Sequence, residues 1–193
     1  MKKKNKLLSI AAAATMLAAA LMYSSCKKEE ETVVPAPPGN EFLTTAIITA
    51  TNAANASDVV TAKWVDLTPD DLNPPSQIDT LKLKAGATYN IEIGILDETT
   101  TPAGDVGADI YERRNYHIFC FNVTGLSSGF SITRTDYDTN NPPLPFGMKD
   151  DITTGSVSTG TLEVQLKHQP NLKDGTCDPG SVDFDVTYPV IVY

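Results

Sequence analysis

The chain has 193 residues, with 15 lysines and arginines against 24 aspartates and glutamates and a formal charge of −9. Lys2, Lys3, Lys4 and Lys6 lie in an N-terminal leader; without its 25 residues, 168 remain with 11 basic and 24 acidic side chains, a net −13. That charge repels nucleic-acid phosphates and anionic headgroups and excludes nucleic-acid binding, while 168 residues suffice for one domain with its own core.

Residues 1–25 read as a secretory signal: a lysine-rich start, an uncharged stretch from Leu7 to Met22, and Ser24-Ser25 before Cys26. The 16 residues of that stretch fall short of the ~20 that span a bilayer. Cys26 resembles the acylated residue of bacterial lipoproteins, although Tyr23 stands where the lipobox usually has leucine. The run Lys27-Lys28-Glu29-Glu30-Glu31 resembles the surface-export tag of Bacteroidota lipoproteins. Together these imply an outer-membrane protein held by a lipid anchor and facing the cell exterior. Residues 26–40, closing on Pro35-Ala36-Pro37-Pro38-Gly39-Asn40, form an extended tether.

From Glu41 the pattern is β. Phe42–Thr51 and Val59–Asp66 read as strands around an Asn52–Asp58 turn, with Val60, Ala62 and Trp64 on one side. Leu67–Ser76, with three prolines, is a loop. Ile78–Lys84 and Thr88–Leu96 pair across Ala85-Gly86-Ala87, and Tyr89, Ile91, Ile93 and Ile95 alternate as only a strand does. Val106 and Ile110 at helical spacing suggest one short helix within Asp105–Asn115. Strands resume at His117–Val123, Phe130–Asp136, Thr161–His168 and Val182–Val192, with a turn-rich stretch over Thr135–Gly160. The expected fold is an all-β sandwich of about eight strands, immunoglobulin-like or transthyretin-like, formed by residues 41–193 as one domain.

Glu41-Phe42-Leu43-Thr44-Thr45, Ile78-Asp79-Thr80-Leu81, Leu96-Asp97-Glu98, Asn115-Tyr116-His117-Ile118-Phe119 and Leu166-Lys167-His168-Gln169-Pro170 resemble a family of small Bacteroidota surface lipoproteins. Its members are often labelled type 1 periplasmic-binding fold. That architecture is a larger two-lobed α/β structure, whereas this chain carries almost no helical pattern.

The polar run Asp136-Tyr137-Asp138-Thr139-Asn140-Asn141 places oxygen donors at alternate positions, as Ca²⁺ requires. Asp136, Asp138 and Asn140 are the candidate ligands, set against an Asx-rich turn bonded to its own backbone. His117 and His168 each continue an apolar stripe to a strand end, and antiparallel neighbours would bring them about 5 Å apart. They are candidates for a transition metal or a haem iron, against a hydrogen-bonded pair at the core rim. Trp64, Tyr111, Tyr116 and Tyr137 offer a platform for a sugar or other flat ligand, although core packing is the preferred reading. Cys120 and Cys177, in an oxidising compartment, permit one disulfide, and buried free Cys120 is the alternative. Gly125-Leu126-Ser127-Ser128-Gly129 matches G-x-S-x-G but precedes a strand instead of a helix, so it reads as a hairpin turn.

The expectation is therefore a non-enzymatic, lipid-anchored binding or interaction module with no required cofactor. Its partner would be a small ligand or an outer-membrane nutrient transporter, met through loops 67–76, 97–116 and 135–160. A metal or haem carrier using His117 and His168, and an adhesive surface protein, are the alternatives.

Overall fold

In the computed structural model, residues 42–68 and 74–193 are described. The signal peptide, Cys26, the tether and residues 69–73 of the first expected contact loop lie outside them. The described residues belong to one contact unit.

Strand alternation builds two sheets. Sheet A runs β3-β2-β1-β5-β9-β8, from Gln77–Ile78, Val59–Val65, Thr45–Asn52, Thr88–Asp97, Lys149–Thr153 and Ser131–Arg134; β6 (Gly104–Asp105) adds to the end of β5. Sheet B runs β4-β11-β10-β7, from Leu81–Leu83, Ser181–Val192, Ser158–His168 and His117–Thr124. Pairings are antiparallel except β4 with β11. Among the described residues eight strands have four residues or more, and the other three are short additions. The described residues thus form an all-β sandwich with one short helix.

The inner faces carry the period-two sets. Tyr89, Ile91, Ile93 and Ile95 of β5, with Ala46, Ile48 and Ala50 of β1, meet Leu162, Val164 and Leu166 of β10 and Phe184, Val186 and Tyr188 of β11 in one cluster. Each such aliphatic side chain removed from water contributes about 1.5–3 kcal/mol. Tyr188 spans the layers: its hydroxyl donates to the Ala46 carbonyl at 3.0 Å, and burial pushes the phenol well above its ordinary value. The helix α1 (Val106–Glu112) starts where the Asp105 carboxylate accepts from the Ala108 amide, and it buries Val106 and Ile110 in the same core. Cys120, on the opposite side of β7 from the core stripe, is bonded to Cys177.

Three sequence expectations need correction. Ile78–Lys84 splits into β3 in sheet A and β4 in sheet B, so β4 and β5 are joined by a crossover between layers. Gly125–Gly129 likewise links β7 of sheet B to β8 of sheet A and is no hairpin. Alternation fixes which residues face inward, but a strand's partner can lie beside it or in the opposing layer, and a short link serves both. The third is β9, inside the expected Thr135–Gly160 loop. Its Asp150 carboxylate is fully buried and held by Arg134 at 2.7 Å, which lets an acidic residue occupy an inward position. Arg134 continues to the Phe119 carbonyl of β7, tying the layers together. Gly147 has φ +86°, and a Cβ there would collide with the Arg134 guanidinium.

Candidate functional site

Two places gather chemistry-bearing side chains. The first is the end of sheet B where β7 begins and β10 ends. Register sets His117 directly opposite His168, and their rings stack with centroids 4.8 Å apart and 12° between planes. The pairing of β10 with β11 slips beside this point: Leu166 faces Phe184, but Lys167 faces Val182, leaving Asp183 as an extra residue. Its carboxylate Oδ2 lies 3.6 Å from His117 Nε2 and 4.0 Å from His168 Nδ1. His117 Nδ1 is 3.0 Å from the Arg113 carbonyl, which can only accept, so Nδ1 carries the hydrogen. His168 Nε2 is buried without a hydrogen-bond partner. Burial holds the His168 imidazole below its ordinary pKa, with His117 adding to the effect and Asp183 opposing it. The parallel rings are packed face to face, with no gap between them for a porphyrin, so the arrangement suits a small ion better than a haem.

The calcium candidates are arranged differently. Asp138 is buried: Oδ1 accepts from the Asn140 and Leu144 amides, and Oδ2 accepts from Asn140 Nδ2 and pairs with Lys173 Nζ at 2.8 Å. Burial pushes its carboxyl up, but the Leu144 amide, Lys173 and the Asn140 amide outweigh this and hold it below the usual carboxylate range. The Asp136 carboxylate accepts from the Gly147, Met148 and Lys149 amides. The Asp136 and Asp138 oxygens that sequence spacing offered to Ca²⁺ accept hydrogen bonds from the protein's own donors, and the bond from the Asn140 amide to Asp138 is of the Asx-turn kind.

The second place is an open trough of about 640 Å³ on the outer face of sheet A. Its floor is Ile47 and Thr49 of β1 with Gly94 of β5; its walls are α1, through Ala108 and Tyr111, and the segment carrying Tyr137, Met148 and Lys149. The expected core placement of the tyrosines fails here: Tyr111, Tyr116 and Tyr137 are 49%, 38% and 51% exposed. Trp64 of that set packs against the core, edge-on to Phe184. Tyr111 is steadied by the Arg114 guanidinium 4.4 Å from its ring centroid and by Phe146 behind it. Glu92 and Lys149 face each other across β5 and β9 and pair at 3.1 Å. A second hollow of about 350 Å³ shares Thr49, Glu92 and Lys149 and adds Asn90, Asp151 and Thr51, so the trough continues along the sheet.

Gly94 is the residue that opens this floor. It sits mid-strand, where glycine weakens the sheet, yet a Cβ there would meet nothing closer than the Ile47 Cβ at 3.9 Å. Packing does not require a glycine at this position. Ser127 lies beyond the far end of β7, while both histidines of the chain stand at its start, so no imidazole serves that hydroxyl as a base. Sequence reasoning missed Asp183 and Gly94; an acidic residue near the end of a strand and a lone glycine inside an isoleucine stripe were their only signals. No family model matches the chain, and no curated protein or solved structure is significantly similar to it.

Proposed function

We propose that this chain is a lipid-anchored, non-enzymatic binding module on the outer face of the outer membrane, and that the sheet A trough holds its ligand. The observation that carries this reading is a trough of about 640 Å³ flanked by two half-exposed tyrosines over a glycine floor. Its volume falls within the ~300–1,000 Å³ of small-ligand sites. Tyrosine offers a flat apolar face with a polar rim, which matches the C–H face and hydroxyls of a sugar ring. The Glu92, Lys149, Asn90 and Asp151 side chains along the continuation supply donors and acceptors for further rings. The ligand class is an oligosaccharide, and the two expected contact segments 97–116 and 135–160 form the walls. Presentation to an outer-membrane transporter follows from the anchor and the exposed site.

The test is calorimetric titration with a panel of soluble gluco-, xylo- and manno-oligosaccharides. At least one series is expected to bind the parent. Tyr111→Ala and Tyr137→Ala are each expected to weaken that binding about tenfold or more, since one aromatic contact contributes ~0.5–1.5 kcal/mol beyond its buried area. Gly94→Val fills the floor and is expected to abolish binding while preserving or raising the melting temperature, because valine favours a strand. Saturable binding that survives all three substitutions would place the ligand elsewhere. Protease treatment of intact cells tests the location: the domain is expected to be shaved from the surface.

A further inference from the structure

We infer that His117, His168 and Asp183 form a binding site for a divalent transition-metal ion of the zinc type, separate from the sheet A trough. The donor atoms of the three side chains all lie within 4.8 Å of one another. Two imidazole nitrogens and one carboxylate oxygen are a set that borderline ions such as Zn²⁺ accept, leaving a position for water.

The local electrostatics ask for a cation. Because His117 Nδ1–H donates to the Arg113 carbonyl, the Nε2 of the neutral ring carries a lone pair. His117 Nε2 is 3.6 Å from the Asp183 carboxylate, a distance too long for a hydrogen bond, so neither atom satisfies the other directly. His168 Nδ1 lies 4.0 Å from the same carboxylate, also beyond hydrogen-bond distance, and presents its own lone pair there when the hydrogen sits on Nε2. An ion between them satisfies all three at once.

Geometry is near what an ion needs. Donors at ~2.0–2.2 Å from a tetrahedral zinc stand about 3.4 Å from each other. The two carboxylate-to-imidazole separations, 3.6 and 4.0 Å, contract by about 0.2 and 0.6 Å, and the donor set as a whole, spread over 4.8 Å, closes further by ring rotation. The rings are 12° from parallel, and the partly exposed His168 ring turns about its Cβ–Cγ bond to bring its lone pair onto the point that His117 Nε2 faces. Access is from the strand ends: His117 is buried, whereas His168 and Asp183 are 23% and 29% exposed. The Arg113 carbonyl behind His117 is the outer partner that fixes the ring's tautomer and orientation. The β11 register slip gives the site its third ligand, as bulges do where a side chain must be re-aimed.

The experiment titrates the intact chain, in detergent and without a histidine tag, with Co²⁺ and then Zn²⁺ in chelator-stripped buffer. Expected are one ion per chain, visible d–d bands for Co²⁺ that Zn²⁺ removes, and a melting temperature that rises with metal concentration. Asp183→Asn and His168→Gln are each expected to weaken the affinity about tenfold or more while leaving the metal-free melting temperature within a few degrees of the parent. Both sites of substitution are partly exposed, so folding is kept separate from binding; His117→Gln, at a buried position, is not needed. Absence of a stoichiometric ion overturns the assignment. So does retention of parental affinity in both variants, which would mean that the ion sits elsewhere on the acidic surface. Neither readout depends on whether the trough binds a sugar.

Discussion

Lys173→Met tests the reading of the 136–147 segment as a self-satisfied turn. Lys173 Nζ is 98% buried with its side chain, lies 2.8 Å from Asp138 Oδ2, and donates to the Arg114 carbonyl at 2.8 Å. Asp138 is itself fully buried. Methionine preserves the length and apolar stem of lysine but leaves a carboxylate inside the protein without its cation. Breaking a buried pair from one side costs about 3–5 kcal/mol. Asp138 keeps the two backbone amides and Asn140 Nδ2 as donors, which places the expected loss near the lower end, about 3 kcal/mol. For a chain of this size that corresponds to a melting temperature lower by roughly 6–12 °C. Asp138→Asn in the same background removes the stranded charge and is expected to recover more than half of the loss. The assay is urea unfolding at pH 7 of the parent, both single variants and the double variant. A loss below about 1 kcal/mol for Lys173→Met, or strict additivity in the double variant, would refute the buried-pair argument.

Three further outcomes follow from the same physical account. Replacing both Cys120 and Cys177 by alanine releases a loop with a sequence separation of 57 residues and is expected to lower the unfolding free energy by about 4 kcal/mol in denaturant. Tyr188→Phe leaves the Ala46 carbonyl buried between the sheets without its donor and is expected to cost about 1–3 kcal/mol by the same measurement. Because the Asp138 carboxyl is held below its ordinary 3.8, its contribution to stability is complete above that pH and is lost as pH falls through the folded value. Acid titration of unfolding free energy should therefore steepen below about pH 4 in the parent and less so in Asp138→Asn.

The sequence made the layers legible because period-two alternation is a local property. Tyr89, Ile91, Ile93 and Ile95 announce a strand and its inner face without reference to any neighbour. The pairing of His117 with His168 was also within reach, since both end apolar stripes on strands that had to lie antiparallel to meet. Asp183 was not legible. Val182, Phe184, Val186 and Tyr188 keep one unbroken parity, which conceals a register slip that only pairing with β10 reveals. Val182 betrays the slip afterwards, being 47% exposed although in phase with the core. The β9 strand escaped notice because Lys149-Asp150-Asp151 has low strand propensity, and its stability comes from Arg134 on a neighbouring strand. Tyr111 was assigned to the core by residue-type preference, which ignores that α1 spends its buried face on Val106, Gly107 and Ile110. Asp136 and Asp138 show the same limit: spacing of oxygen donors says nothing about which protons already bind them.

The most direct measurement of the central claim is an amide chemical-shift map of the protein titrated with the oligosaccharide that binds. The account predicts saturable shifts confined to Glu92–Gly94, Ala108–Tyr111, Tyr137 and Met148–Lys149, the residues around the trough. Shifts centred on sheet B, or no saturable shift across the whole panel, would contradict it.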